Sequence, residues 1–190
     1  YAIEMFTSMA HSLLTGGDSV GLVLFTDKII TSIQPNIGNK QYYMMLKAIT
    51  NPQYYEGKYD FGEALRQLNV MLTRRSIIIM ISDFIGLKGD WYDKMRMVAA
   101  KHEVIVFIVK DPRDITMPEE VGQVFVEDPI TGESLLIDTK IVKEQYERLA
   151  HDEDQKLMKL FTDIQVEYMF ITTNQPFNKM LFKFFKERSL

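Results

Sequence analysis

The chain has 190 residues, of which 46% are hydrophobic and 25% charged, proportions that exclude a disordered chain and are typical of one globular domain. Its net charge of −4 argues against a broad phosphate-binding surface, so nucleic acid is not an expected partner. The absence of cysteine excludes disulfides, thiolate catalysis and cysteine-ligated zinc, and it is compatible with the cytoplasmic location that we expect.

The first predicted element is a helix that starts at the beginning of the chain. Its apolar residues recur at helical spacing, and Gly16-Gly17-Asp18 ends it. Because the chain lacks an initiator methionine, we expect it to be an N-terminally truncated fragment of a longer protein. No apolar stretch approaches the length of a membrane span, so any membrane association is expected to come from outside this chain.

Two strands and a second helix are predicted next. Val20–Phe25 has the apolar content of a buried strand, and Thr26-Asp27-Lys28 forms a tight turn after it. Residues 29–33 are less apolar, which suits an antiparallel edge strand. The following helix is broken by Asn51-Pro52.

Two aspartates stand at the ends of the next predicted elements. Asp60 follows a tyrosine-rich loop and is a candidate N-cap for a third helix. Residues 77–81 form a continuous apolar run that stops at Ser82-Asp83. Such a run is typical of a strand covered by helices on both faces, and we expect it to be the most buried and central strand of a parallel sheet. Since open α/β sheets bind ligands beyond the carboxyl ends of their strands, Asp83 is the leading candidate for a functional residue.

The second half of the chain repeats the alternation and then departs from it. A helix at Trp91–Lys101 precedes a second apolar strand, residues 104–109, which ends in Lys110-Asp111-Pro112. Strands alternating with helices of this length predict a doubly wound α/β domain with a mainly parallel sheet. A β-hairpin inserted near residues 122–138 follows, with glycine in its turn.

A long charged helix at about residues 141–164, a strand at 166–171 and a final helix at 177–185 complete the prediction of a single domain over residues 1–190. The final helix mixes phenylalanines with lysines. Packing on the sheet with the lysines in water is favoured over a membrane-surface or partner helix.

The candidate chemistry is limited to three carboxylates. Asp83, Asp111 and Asp60 would offer Mg²⁺ the oxygen ligands that it prefers. The alternative, favoured for Asp60 and Asp111, is that they cap helices or close turns. The three histidines lie far apart without ligand spacing, so packing or surface roles are expected for them. The chain has neither a nucleophile elbow, a phosphate-binding loop nor a dinucleotide fingerprint.

The order of five segments resembles that of a bacterial family with a von Willebrand factor A-like domain, catalogued as domain of unknown function fifty-eight. The segments are spread over most of the chain, and the resemblance rests on their occurring in the same order. They are residues 17–25 (GDSVGLVLF), 60–65 (DFGEAL), 75–84 (RSIIIMISDF), 111–113 (DPR) with Pro118, and 127–133 (EDPITGE).

The resemblance implies a mainly parallel sheet with one antiparallel edge strand and a metal-ion-dependent adhesion site at its top. Asp83 matches the aspartate of the third loop of that site, and Tyr59 stands where the second loop has threonine. The first loop and its strand would precede Tyr1, so the first strand is missing and its neighbours would keep unpaired backbone groups. Asp83 and Asp60 would then form only part of a metal site, and Mg²⁺ is expected in a longer protein but not in this fragment.

The resemblance further implies a non-enzymatic protein-interaction module that works with a MoxR-type AAA+ ATPase as an adaptor or in assembly. A Mg²⁺-dependent phosphotransfer or hydrolase domain using Asp83 and Asp111 is the alternative. Against it, the sequence shows no nucleophile with an adjacent base and no glycine-rich phosphate cradle. If Tyr59 marks a degenerate site, a purely structural domain is the third interpretation.

Overall fold

Helices and strands alternate along most of the chain. The computed structural model describes residues 1–117, 122–127 and 134–188. Its helices are α1 (Ala2–Thr15), α2 (Asn39–Ile49), α3 (Phe61–Met71), α4 (Trp91–Lys101), α5 (Thr139–Asp163) and α6 (Phe177–Arg188). Its strands are β1 (Val20–Phe25), β2 (Ile29–Asn36), β3 (Ile77–Ser82), β4 (Glu103–Lys110), β5 (Gln123–Glu127), β6 (Ser134–Asp138) and β7 (Glu167–Thr172). Each predicted element is present, with ends that shift by a few residues.

A three-stranded parallel sheet forms the centre of the fold, in the order β3-β4-β7. The middle strand is β4, which is buried from Val104 to Lys110. The prediction that β3 is the central and most buried strand is wrong, because among the described residues β3 pairs with β4 alone and Ile77 is 63% exposed. An apolar run shows that helices cover a strand, but it does not show how many strands flank it.

The antiparallel pair of β1 and β2 is a separate sheet, whereas the sequence predicted one sheet with an antiparallel edge strand. Within the described residues, β1 pairs with β2 alone, and β3 pairs with β4 alone. The pair is unusually close at Gly21, where a Cβ atom would lie 2.7 Å from the carbonyl oxygen of Ile33. Glycine is therefore required at this position.

Alternate residues of β4 supply two cores on opposite faces of the parallel sheet. Val104, Val106 and Ile108 pack with α3, α4 and α5 on one face. The intervening side chains, among them Phe107, pack with α1 and α6 on the other face. No helix within the described ranges is long and apolar enough to cross a bilayer.

Helix α1 connects the two sheets. Met5 and Met9 pack in the core of the parallel sheet, whereas Leu14 packs with β1 and α2 in a third core. The Tyr1 hydroxyl also donates a hydrogen bond to the carbonyl oxygen of Gln175, 2.7 Å away. One helix thus holds β1, α2 and the C-terminal part of the chain in a fixed relation.

The predicted hairpin is confirmed as the antiparallel pair of β5 and β6, which runs from Gln123 opposite Asp138 to Glu127 opposite Ser134. Its turn, residues 128–133, and Pro118 of the family-like segments lie outside the described residues. The base of the hairpin is closed by Thr139, whose backbone N–H and hydroxyl both donate to the carbonyl oxygen of Gly122, at 2.8 and 2.9 Å. Thr139 is 1% exposed.

Candidate functional site

The carboxyl end of β3 turns through two consecutive side-chain hydrogen bonds. Ser82 Oγ accepts from the backbone N–H of Phe84, and Asp83 Oδ1 accepts from that of Ile85, each at 3.1 Å. Asp83 is exposed. The predicted turn-closing role of Ser82 and Asp83 is therefore present, and the turn leaves the Asp83 carboxylate at the surface.

The residue after Asp83 has an unusual backbone. Phe84 has a φ of 55°, in the left-handed region, which costs a residue with a side chain about 1–2 kcal/mol. Its ring is 5% exposed and lies 5.5 Å from the rings of both Phe61 and Phe161. This packing offsets the backbone cost, and the turn directs Phe84 into the core while Asp83 faces solvent.

Tyr59 connects the ends of β1 and β3. Its ring centroid lies 6.3 Å from that of Phe25, the last residue of β1, and its hydroxyl shares a hydrogen bond with Ser82. Burial raises the pKa of Tyr59 to about 12; the Ser82 hydrogen bond opposes this rise, and the Asp83 charge adds to it. Tyr59 therefore remains a neutral phenol and a poor metal ligand at neutral pH.

Asp60 caps a helix, as its position in the sequence predicted. Its Oδ1 atom accepts from the backbone N–H of Glu63 at 2.9 Å, and its own N–H donates to the carbonyl oxygen of Thr26 at 3.1 Å. The loop that carries Tyr59 and Asp60 is thus fixed to the end of β1. Across residues 1–117, 122–127 and 134–188, no three or more carboxylates and histidines are placed to hold a metal ion together.

Asp111, at the end of β4, has a structural role. Its Oδ1 atom accepts from the backbone N–H of Arg113 at 2.9 Å, while its own N–H donates to Asp114 Oδ2 at 3.0 Å, which together form a capping box. Its Oδ2 atom accepts from the Thr173 hydroxyl at 3.4 Å, beyond the end of β7. Both carboxylate oxygens are engaged within the fold, as the capping interpretation predicted.

Sequence reasoning missed the buried ion pair beside this site. Lys110 Nζ lies 3.2 Å from Asp154 Oδ1, and each side chain is 10% exposed. Asp154 stands three and seven residues before Leu157 and Phe161, which are buried on the same stripe of α5. That helical spacing is the signal that could have identified Asp154 as a buried carboxylate.

The histidines do not contribute to the site. His102 is 5% exposed, at the end of α4, and neither ring nitrogen has a hydrogen-bond partner among the described residues. His11 lies against the Tyr42 ring, with centroids 5.5 Å apart. Both positions agree with the predicted packing or surface roles.

Residues 1–156 match the family described as "Protein of unknown function DUF58". An uncharacterized protein of Mycobacterium tuberculosis (strain ATCC 25618 / H37Rv) is 34% identical over 119 residues, which make up 62% of this chain and 37% of that protein. The chain therefore spans little more than a third of the length of that curated relative.

Two solved structures are similar in fold. One is the conserved hypothetical protein BatB from Bacteroides thetaiotaomicron, with a TM-score of 0.54 and 16% identity over 90% of this chain and 80% of that chain. The other is an aerotolerance-related membrane protein from Bacteroides fragilis NCTC 9343 with multiple mutations to serines, also at 0.54 and 16%, over 90% and 81%. At this identity the likeness shows the mixed α/β fold alone.

Proposed function

Because the chain belongs to the DUF58 family of proteins of unknown function, we propose that it is a non-enzymatic protein-interaction module that presents Asp83 to a partner protein. The exposure of Asp83 beside the left-handed Phe84 is the observation that carries this proposal. Strained backbone that packing holds in place is common at binding sites. A carboxylate held at the edge of a rigid sheet is ready to pair with a partner without reordering the chain.

A von Willebrand factor A-like adhesion site would add Mg²⁺ to this contact, but the described residues do not fit a metal centre by themselves. Tyr59, a neutral phenol, stands where the second loop of an adhesion site has its threonine ligand, and Asp60 Oδ1 caps α3. Among the described residues, no group of three or more acidic or histidine side chains is placed to hold a metal ion. A Mg²⁺ site needs about six oxygens. The proposal therefore rests on the Asp83 carboxylate alone. The binding experiment is carried out both with and without Mg²⁺.

The proposed partner is a MoxR-type AAA+ ATPase, towards which this module would act as an adaptor or in assembly. This choice rests on the family resemblance. The phosphotransfer alternative is not favoured, because Asp111 uses both carboxylate oxygens within the fold. The Asp83 carboxylate would then lack its proposed catalytic companion.

Calorimetric titration of the chain with a purified MoxR-type ATPase tests the proposal. The titration is performed once in the presence of Mg²⁺ and once in the presence of a chelator. Asp83→Ala should weaken binding at least about tenfold, the effect of losing a central charged contact. Asp93→Ala is the matched control, since Asp93 is an exposed carboxylate on α4 paired with Arg96. Equal binding by the two variants, or metal-dependent hydrolysis of a phosphoester that Asp83→Ala abolishes, would contradict the proposal.

A further inference from the structure

Strand β3 has one edge that no described strand covers, because its only partner among the described residues is β4. At the start of this ladder, the backbone N–H of Glu103 donates to the carbonyl oxygen of Ser76 at 3.0 Å. Alternate residues of a parallel strand bond to the same neighbour, so every second residue after Ser76 faces β4. The residues between them direct their backbone N–H and C=O groups to the open edge, and they are Ile77, Ile79 and Ile81.

The open edge leaves the side chains of β3 less buried than those of β4. Both strands are apolar, and both contribute to the same two cores. Strand β4, which has a neighbour on each side, is buried from Val104 to Lys110. Residues 78–82 of β3 are only half-buried. Since the helical cover is shared, the missing second neighbour accounts for the difference.

The open edge also lacks the features that usually prevent a strand from pairing further. Exposed edges commonly carry a charge, a proline or a β-bulge. Strand β3 contains no charged residue and no proline, and its register with β4 is unbroken. The edge therefore has the chemistry of an interior strand, which pairs on both sides.

The two faces of β3 define what can lie beside it. The side chains of Ile78 and Met80 pack in the core formed with α3, α4 and α5. Those of Ile79 and Ile81 pack in the core formed with α1 and α6. A strand next to β3 would place its own side chains alternately in these two cores. It must therefore be apolar on both faces and uncharged, since an unpaired charge there would lose its water.

Helices restrict access to a single extended segment. Helix α1 packs on both β1 and β3. On the other face, the Phe61 ring of α3 lies 5.8 Å from the ring of Phe25, at the end of β1, and 5.5 Å from that of Phe84, after β3. An extended segment can reach the edge between these helices. The β3 strand of a folded second copy is flanked by its own α1 and α3 and cannot.

We infer that the open edge of β3 binds an extended, uncharged apolar segment of a partner polypeptide, which pairs with β3 as an added strand. The outward backbone groups of the three isoleucines supply the hydrogen bonds, and the two cores accept alternate side chains. A segment as long as the six residues of β3 spans about 20 Å. Asp83 follows the end of the strand and takes no part in these bonds.

Amide hydrogen exchange followed by NMR tests the inference, with the end-blocked synthetic peptide KVIVVIVK as the probe. In the free chain, the amides of Ile77, Ile79 and Ile81 should exchange faster than those of Ile78 and Met80, which bond to β4. The peptide should slow the three outward amides at least about tenfold and leave the other two unchanged. Non-specific adhesion of an apolar peptide would not produce this alternation.

Two controls test whether backbone pairing carries the binding. The same peptide with N-methyl groups on its central residues keeps the side chains but loses the backbone donors, and should bind at least about tenfold more weakly. Ile79→Pro removes one outward N–H of β3 and keeps the bonds to β4, so it should also weaken binding while the circular dichroism stays native.

Equal binding of the two peptides, or peptide binding that leaves the outward amides unprotected, would overturn the inference. Protection that appears without peptide as the chain concentration rises would also overturn it, because it would assign the edge to a second copy. Asp83→Ala should bind the peptide normally, which separates this result from the proposed function.

Discussion

Lys110 Nζ and Asp154 Oδ1 form a buried ion pair, 3.2 Å apart, between the end of the central strand β4 and the middle of α5. Taken as whole residues, Lys110 is 8% exposed and Asp154 is 7% exposed. A charge at this depth is tolerated only when it is paired, because leaving water costs each ion several kcal/mol. The pair therefore fixes the position of α5 on the sheet.

Replacing one member of the Lys110–Asp154 pair should lower the free energy of unfolding far more than replacing both. Asp154→Ala should lower the free energy of unfolding by about 3–5 kcal/mol, because Lys110 is left buried and unpaired. Lys110→Met combined with Asp154→Leu should be close to neutral. Urea denaturation of the unmodified chain, the single variant and the double variant measures these free energies. A double variant as unstable as the single one would show that the pair itself, rather than the unpaired charge, carries the stability.

The second prediction concerns the Tyr59 phenol, which joins Phe25 to Ser82. Tyr59→Phe keeps the ring contact but removes the hydrogen bond, and should cost about 0.5–1.5 kcal/mol at pH 7. The folded-state pKa of Tyr59 is raised to about 12. Its contribution to stability is therefore present below about pH 10, the pKa of an unperturbed tyrosine, and is lost as the pH rises from about 10 to 12.

Urea midpoints at pH 8 and pH 11 measure this effect. The midpoint should fall less between the two pH values in Tyr59→Phe than in the unmodified chain. Tyr43→Phe is the control, since Tyr43 is 66% exposed. Identical alkaline losses in all three proteins would argue against a raised Tyr59 pKa.

The third prediction is a loss of stability in mild acid due to His102. Burial lowers the pKa of His102, and the charge of Lys101 lowers it further. The folded state therefore favours the neutral ring, so this contribution is present above the unperturbed pKa of about 6.5 and is lost as the pH falls below it. His102→Leu should reduce the drop in melting temperature between pH 7 and pH 5, whereas His151→Leu, on the exposed side of α5, should not. An unchanged drop in His102→Leu would assign the acid sensitivity to other groups.

The fourth prediction compares two glycines. Gly21→Ala places a Cβ atom 2.7 Å from the Ile33 carbonyl oxygen and 3.0 Å from the Pro35 nitrogen, and should destabilise the chain by about 1–3 kcal/mol. Gly62→Ala, inside α3, meets no atom closer than 3.4 Å and should stabilise it by up to about 1 kcal/mol. Thermal denaturation should show a lower melting temperature for Gly21→Ala and a higher one for Gly62→Ala. Equal effects would contradict the close approach of β1 and β2.

The sequence predicts the structural roles of residues when those roles depend on neighbouring residues in the chain. Asp60 was identified as a helix cap because its short carboxylate precedes an amphipathic run, and Ser82-Asp83 was identified because an apolar strand stops there. The edge position of β3 was missed because strand order depends on segments distant in sequence. The contact between the Tyr59 and Ser82 side chains depends on how the ends of β1 and β3 approach each other, which no local sequence pattern encodes.

Helix α1 also has a consequence for the order of folding. Tyr1 and Gln175, which share a hydrogen bond, are 174 residues apart in sequence, and Met5 packs in the same core as β7 and α6. Contacts of such long range form late and slow the folding of a domain. During synthesis, the core that holds Met5 is therefore completed only when β7 and α6 have left the ribosome. Until then Met5 and Met9 lack the part of their apolar surroundings that Ile171 and Leu181 supply in the folded chain.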